Sequence, residues 1–291
     1  MGRQSMQVDI VELQRWIGRG ETRVDAVGPT PIAALSATLD TGRPLPVGGD
    51  VVPPLWHWLF FLPLHPGADL GPDGHARRGG FLPPVPLQRR MWAGGRFEFL
   101  APLRVGDAIR RVSTIADVTA KDGRTGPLVF VVVRHEVFGP EGLALVEEHD
   151  IVYRGPAAAG APSPAAKRAP PEPTFTREIV PDDVLLFRYS ALTFNGHRIH
   201  YDRRYATEVE GYPGLVVHGP LLATLLAGLA GSARPDEDLA AFSFRALATA
   251  FDGSPVRICG RPGEEPAALR LWAETDDGTI AMEARAVLRP R

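Results

Sequence analysis

Pro213-Gly214-Leu215-Val216-Val217-His218-Gly219-Pro220-Leu221-Leu222-Ala223-Thr224-Leu225-Leu226-Ala227-Gly228-Leu229-Ala230 is the stretch that decides the fold. Leu221, Leu225 and Leu229 recur every fourth residue, and Leu222 and Leu226 fill the neighbouring row. A helix that is apolar on every side must be wrapped by something, usually a sheet. Just upstream, Phe194-Asn195-Gly196-His197-Arg198-Ile199-His200-Tyr201-Asp202 sets an amide, two imidazoles and a carboxylate within eight residues. Polar side chains at the mouth of a buried helix mark the place to look for an active site.

Outward from that centre, the first half opens with helical spacing from Gln7 to Gly18 and again from Thr30 to Leu39. Pro53 to Leu62 reads as a buried apolar segment of undecided type, and Pro66 to Pro86 as a long Gly/Pro loop suited to a lid or substrate wall. Arg96 to Leu103, Ala108 to Ala120, Leu128 to Phe138 and Leu143 to Arg154 are strand-rich runs joined by Gly-containing turns, an antiparallel meander. Ala-Pro and Ser-Pro repeats then mark a linker, giving units 1–155 and 174–291 joined by 156–173. After the apolar helix the second unit continues with strands at Ala241–Ala248, Ser254–Cys259, Ala267–Ala273 and Thr279–Leu288. Phe97-Glu98-Phe99 is echoed by Phe242-Ser243-Phe244, which suggests a duplicated unit, one half doing chemistry and the other shaping the pocket.

Composition narrows the function classes. The chain has 291 residues, 44% hydrophobic and 23% charged, room for two ordinary domains. A net charge of -2 gives no electrostatic case for nucleic acid or an anionic membrane. The single cysteine, Cys259, excludes an intramolecular disulfide and a multi-Cys zinc site, and reads as a small core residue. No basic-then-apolar leader opens the chain and its longest apolar run is too short for a membrane span, so the expected location is the cytoplasm.

The stretch Phe187-Arg188-Tyr189-Ser190-Ala191-Leu192-Thr193-Phe194-Asn195-Gly196-His197-Arg198-Ile199-His200-Tyr201-Asp202, followed by His218-Gly219 at the helix start, resembles the MaoC-like hydratases and dehydratases of the hot-dog fold. It is most similar to the branch holding type 2 hydroxyacyl-thioester dehydratases and mesaconyl-CoA (3-methylfumaryl-CoA) hydratases. The resemblance implies an α+β double hot-dog fold: two antiparallel sheets, each wrapped around a long helix, with a divergent N-terminal half and an active C-terminal half. It places the family's catalytic His on His200 and its catalytic Asp on Asn195. The family's Asn falls on His197, and its Pro on Arg198.

Each candidate has an ordinary reading beside the chemical one. A neutral imidazole at His200 can take a proton from water and return it to carbon, or merely bond backbone in a core. Asn195 has no useful proton affinity, so it either orients water or supports the turn before Gly196. Asp202 is either a partner of the imidazole or a solvated loop carboxylate. Gly219 lets a thioester approach exposed helix amides, or simply permits close packing. Val217, His218, His197, Arg198 and Asp202 are expected near the substrate. Arg188, Arg198, Arg203 and Arg204 are open candidates for phosphate or carboxylate. His197 and His200 lack a third ligand at sensible spacing, so no metal is expected.

Together these give a hydro-lyase acting on an enoyl thioester, with a mesaconyl-CoA hydratase forming citramalyl-CoA as the leading expectation. A 3-hydroxyacyl-thioester dehydratase of fatty acid synthesis and a non-catalytic acyl-thioester binding subunit are the alternatives. The expected partner is an acyl-CoA, whose coenzyme A is part of the substrate. No cofactor, nucleic acid or membrane is expected, and the internal pseudo-dimer leaves a homodimer open.

Overall fold

The computed structural model describes residues 8–87, 89–123, 126–155, 166–170 and 172–291. In chain order the elements are α1 (Ile10–Gln14), β1 (Gly20–Ala26), α2 (Pro29–Thr38), β2 (Arg89–Phe99), β3 (Ala108–Gly123), β4 (Gly126–Gly139) and β5 (Gly142–Arg154). Then come β6 (Phe175–Ile179), α3 (Asp183–Leu192), α4 (Gly219–Ala233), β7 (Glu237–Ala246), β8 (Val256–Pro262), β9 (Ala268–Thr275) and β10 (Ile280–Pro290). Of the expected linker, residues 156–165 and 171 lie outside the described residues.

All ten strands join one antiparallel sheet in the order β1-β3-β4-β5-β2-β7-β10-β9-β8-β6. The two sheets expected from the sequence are thus continuous, fused where β2 pairs with β7. The echoed segments meet at that seam, with Phe97 opposite Phe242, as a pseudo-twofold axis requires of equivalent positions. Phe97 also stacks on Phe244 with ring centroids 6.1 Å apart. The strands that the sequence pattern did not reveal, β1 and β6, are the two edges. Their Gly-Glu-Thr-Arg-Val-Asp-Ala and Phe-Thr-Arg-Glu-Ile sequences carry charges that suit an edge and carry little apolar periodicity.

The C-terminal five strands curl around α4, whose five leucines and Thr224 are all buried. Each buried leucine contributes about 1.5–3 kcal/mol of hydrophobic stabilisation. That burial anchors the helix N-terminus, and with it the chemical segment, against the sheet. The N-terminal half has no comparable helix: α2 spans ten residues and packs on α3 rather than filling its own sheet. Trp56–Leu59 is a buried 3-10 turn whose His57 Nε2 lies 3.0 Å from Glu147 on β5. Trp58 Nε1 donates to the same carboxylate at 3.3 Å. Burial raises the Glu147 carboxyl, but the His57 bond and the charges of His57, His135 and His149 outweigh it and hold it at about 2. No helix among the described residues is long and apolar enough to cross a membrane.

Candidate active site

Asp182 accepts a hydrogen bond from the Leu185 amide at 2.7 Å, an N-cap that starts α3. The helix buries Leu186, Tyr189 and Ser190, so Ser190 faces inward at the end that leads into Asn195. After α3 the chain turns through Phe194 at φ +52°. Asn195 Oδ1 then accepts from the His197 amide at 3.0 Å. The amide oxygen of Asn195 therefore holds the turn, and its NH₂ is the group left for a ligand.

His200 lies in the 3-10 turn Arg198–His200, 8% exposed, and its Nδ1–H donates to the Val216 carbonyl at 2.7 Å. That bond fixes the tautomer and leaves Nε2 as an acceptor with no partner among the described residues. Burial pulls His200 down to about 4, the Val216 bond opposing, so the ring is neutral at physiological pH. His218 caps α4 and is fully buried, with Nε2 2.8 Å from Ser190 Oγ. Burial holds its ring neutral too. The His200 and His218 rings stack at 3.8 Å, and the His197 ring stands edge-on to His200 at 5.5 Å.

Gly219 opens α4, partly exposed beside the buried run Gly214–His218, and its amide donates to no group among the described residues. A Cβ built on it would meet only Met282 Cε, at 3.8 Å. Protein packing therefore does not require glycine here. What it leaves open is approach to the unbonded amide at a helix N-terminus, which favours developing negative charge.

The other expected residues sort by geometry. Arg198 binds Asp202 at 2.7 Å and the Pro72 carbonyl at 3.0 Å, while Asp202 also caps Tyr205 N at 3.0 Å. Asp202 is thus a structural carboxylate, bonded to a guanidinium rather than an imidazole. Val217 is buried in the core, its amide bonded to the Ala250 carbonyl. Arg203 pairs with Asp252 and Arg204 with Glu208, and Arg188 is exposed.

The N-terminal half adds a cavity whose lining takes in Asn195 but neither His200 nor Gly219. A cavity of about 1080 Å³ is lined from α3 and the motif by Phe187, Ser190, Phe194, Asn195 and Tyr201, and from the other half by His75, Phe81, Arg90, His149 and Tyr153. The long loop is thus a wall of the cavity as expected, and the apolar Trp56–Phe61 segment is packed into the core. The loop is clamped to the motif, since Arg198 N donates to the Asp73 carbonyl at 2.9 Å. Gly74, at φ +86°, lies so close to Gly196 that a Cβ would sit 1.8 Å from the Gly196 oxygen. The His75 ring lies 4.0 Å from that of His197. Four imidazoles, His75, His197, His200 and His218, therefore run in contact from the cavity to the start of α4. A groove on the sheet's outer face, lined by Arg96, Arg245 and Arg285, shares no residue with this row.

Asp73, His75 and His197 offer possible metal ligands within 4.8 Å of one another, so the fold supplies the third group that sequence spacing did not. Their present bonding favours a hydrogen-bonded pair: His75 Nδ1 lies 3.1 Å from Asp73 Oδ2, and while burial chiefly depresses His75, the Arg90 and Arg78 charges add to it and oppose a cation. Sequence reasoning missed His75, Asp73, Ser190 and Arg90. Only the loop's length hinted at the first two.

The sequence profile of hydroxyacyl-thioester dehydratase type 2 matches residues 55–252. The chain is 48% identical to mesaconyl-C(4)-CoA hydratase of Chloroflexus aurantiacus over 92% of its length and 95% of the relative's. It is 28% identical to the mitochondrial hydroxyacyl-thioester dehydratase type 2 of Schizosaccharomyces pombe, over 81% of this chain and 88% of that one. Among solved structures it superposes on a MaoC-like dehydratase of Phytophthora capsici with a TM-score of 0.67, at 14% identity over 97% and 98% of the two chains. A Mycobacterium tuberculosis protein with a double hotdog fold gives a TM-score of 0.56 at 13% identity, covering 94% and 96%. The architecture is accordingly an α+β double hot dog.

Proposed function

The chain belongs to the hydroxyacyl-thioester dehydratase type 2 family, and on that premise we propose a cytoplasmic hydro-lyase that hydrates mesaconyl-C(4)-CoA to citramalyl-CoA. The observation that carries this reading is His200, a neutral ring with Nδ1–H tied to the Val216 carbonyl and Nε2 free to accept. Nε2 receives a hydrogen of the water that adds to the β-carbon. The electrons of the double bond move onto the thioester oxygen, and the resulting enolate lies against the Gly219 amide. A proton from the water ends on the α-carbon. Asn195, through its free NH₂, faces the substrate from the cavity wall.

A 3-hydroxyacyl-thioester dehydratase would use the same groups, but one feature favours the dicarboxylic substrate. In mesaconyl-C(4)-CoA the second carboxylate sits on the carbon that receives water. Arg90 lines the cavity with Tyr153 and has no carboxylate partner among the described residues. A guanidinium in that state suits a substrate carboxylate. Purified protein assayed on mesaconyl-C(4)-CoA and crotonyl-CoA tests the proposal: faster turnover of the first is expected, preference for unbranched enoyl thioesters would favour the dehydratase, and inactivity on both would leave a binding protein.

A further inference from the structure

Hydration needs a group that takes a proton from water and returns it to carbon, and the role that the family resemblance gives to a carboxylate falls here on an amide. Asn195 cannot take a proton, and its oxygen is engaged by the His197 amide. His200 is backed by a neutral carbonyl, and no carboxylate among the described residues is bonded to its ring to compensate a positive charge. A second candidate base lies in the other half of the molecule.

There Asp73 and His75 form a pair. His75 Nδ1–H donates to Asp73 Oδ2 at 3.1 Å, and Asp73 Oδ1 accepts from the His75 amide at 3.1 Å. Burial would raise the Asp73 carboxyl, but its bonds to His75 and the nearby imidazole charge outweigh this and keep it well below the usual carboxylate range. An ionised Asp73 fixes the His75 tautomer, so Nε2 is the acceptor, and it has no partner among the described residues. The ring lines the same cavity as Asn195 and Ser190, and touches His197, which in turn touches His200. Two independent clamps, the Gly74–Gly196 approach and the Arg198 amide on the Asp73 carbonyl, hold the pair against the motif.

We infer that His75, positioned by Asp73, is the general base of the reaction, supplied by the half that lacks the hydratase motif. This rests on the hydratase reading above. His75 Nε2 takes one proton from the water as its oxygen bonds to the β-carbon, and the double-bond electrons pass to the thioester oxygen. The Asp73 carboxylate stabilises the imidazolium so formed. His75 then returns the same proton to the α-carbon as the enolate collapses, and the ring is neutral again. His200 Nε2 accepts the water's other hydrogen, which stays on the product hydroxyl. Asp73 touches neither water nor substrate and is a positioning residue.

Steady-state kinetics of His75→Gln and Asp73→Asn against pH, on whichever thioester the parent hydrates, decide the matter. His75→Gln should keep the parent's melting temperature and lose about a hundredfold or more in kcat, with KM changed by less than about threefold. The groups facing His75 are Asp73 and Arg78 of its own loop, Arg90 of β2 and His197 of the motif. With the Asp73 charge removed, the remaining cations hold His75 lower, so the acidic limb of kcat/KM should move down by about one unit or more. A merely structural pair would leave that limb in place. An active parent whose His75→Gln form keeps kcat overturns this assignment alone, and so does an unmoved limb in Asp73→Asn. If His75→Gln does not fold, Asp73→Asn decides by itself, because the ring remains. Loss of parent activity to a chelator with recovery on added Zn²⁺ would make the trio a metal site and also overturn it. A parent inactive on both thioesters retires the hydratase reading and this role together.

Discussion

Replacing Gly219 by Ala adds one methyl group at the N-terminus of α4, where access and packing can be told apart. An added Cβ meets a single atom, Met282 Cε, at 3.8 Å, an ordinary van der Waals contact. Gly219 is not among the positive-φ glycines, so alanine strains no backbone. Ala is also the better helix former, by roughly 0.5–1 kcal/mol in a helix interior and less in the first turn. The fold should therefore hold or gain slightly, a rise in melting temperature of at most about 3 °C. Catalysis should suffer, because the methyl stands where the thioester must approach the amide. A displacement of about 1 Å costs on the order of a hundredfold, and loss of an oxyanion donor costs a similar amount. Thermal unfolding with hydration kinetics on the same preparation reads both effects. Unchanged kcat in a stable Gly219→Ala protein would refute the enolate contact, and a large drop in melting temperature would refute the packing account.

His200→Ala should lose at least about a hundredfold in turnover while keeping its fold; near-parent rates would remove His200 from the mechanism. Asn195→Asp should keep the turn and measurable turnover, since a carboxylate still accepts from the His197 amide, whereas Asn195→Ala leaves that amide unbonded and should lose about 1 kcal/mol of stability together with most activity. A fully active, equally stable Ala variant would show the opposite. Arg90→Met should raise KM for mesaconyl-C(4)-CoA by about tenfold or more and leave crotonyl-CoA unaffected; an equal effect on both would place Arg90 on the coenzyme. Burial pushes His135 and His200 down to about 4 and His149 to about 3, against an ordinary 6.5, so the unfolded chain binds more protons across that interval. The melting temperature should therefore fall as pH is lowered from 6.5 towards 4, and a flat profile there would contradict these burials.

The sequence by itself determined the elements whose physics is local. The all-round apolar pattern of Leu221–Ala230 demanded a wrapped helix, the strand-turn alternation on either side demanded antiparallel sheet, and the Asn195–Asp202 motif marked the chemistry. Edge strands β1 and β6 escaped notice because a strand paired on one side carries charged residues instead of an alternating apolar face. Helix α3 was legible in principle from the Asp182 cap, yet its weak apolar stripe hid it beside the motif. Only the tertiary structure decided the rest. Whether Asp202 served an imidazole or a guanidinium depended on how the turn at Arg198–His200 directs side chains, which spacing alone does not fix. The arginines facing the cavity proved to be Arg23, Arg77, Arg78 and Arg90, all of the N-terminal half and far in sequence from every arginine the motif suggested. Asp73 and His75 sit in a Gly/Pro loop with no periodicity to read, more than a hundred residues from His200. They reach the motif because Gly74 and Gly196 lack the Cβ atoms that would hold the two backbones apart, a contact that exists only once both halves share one sheet.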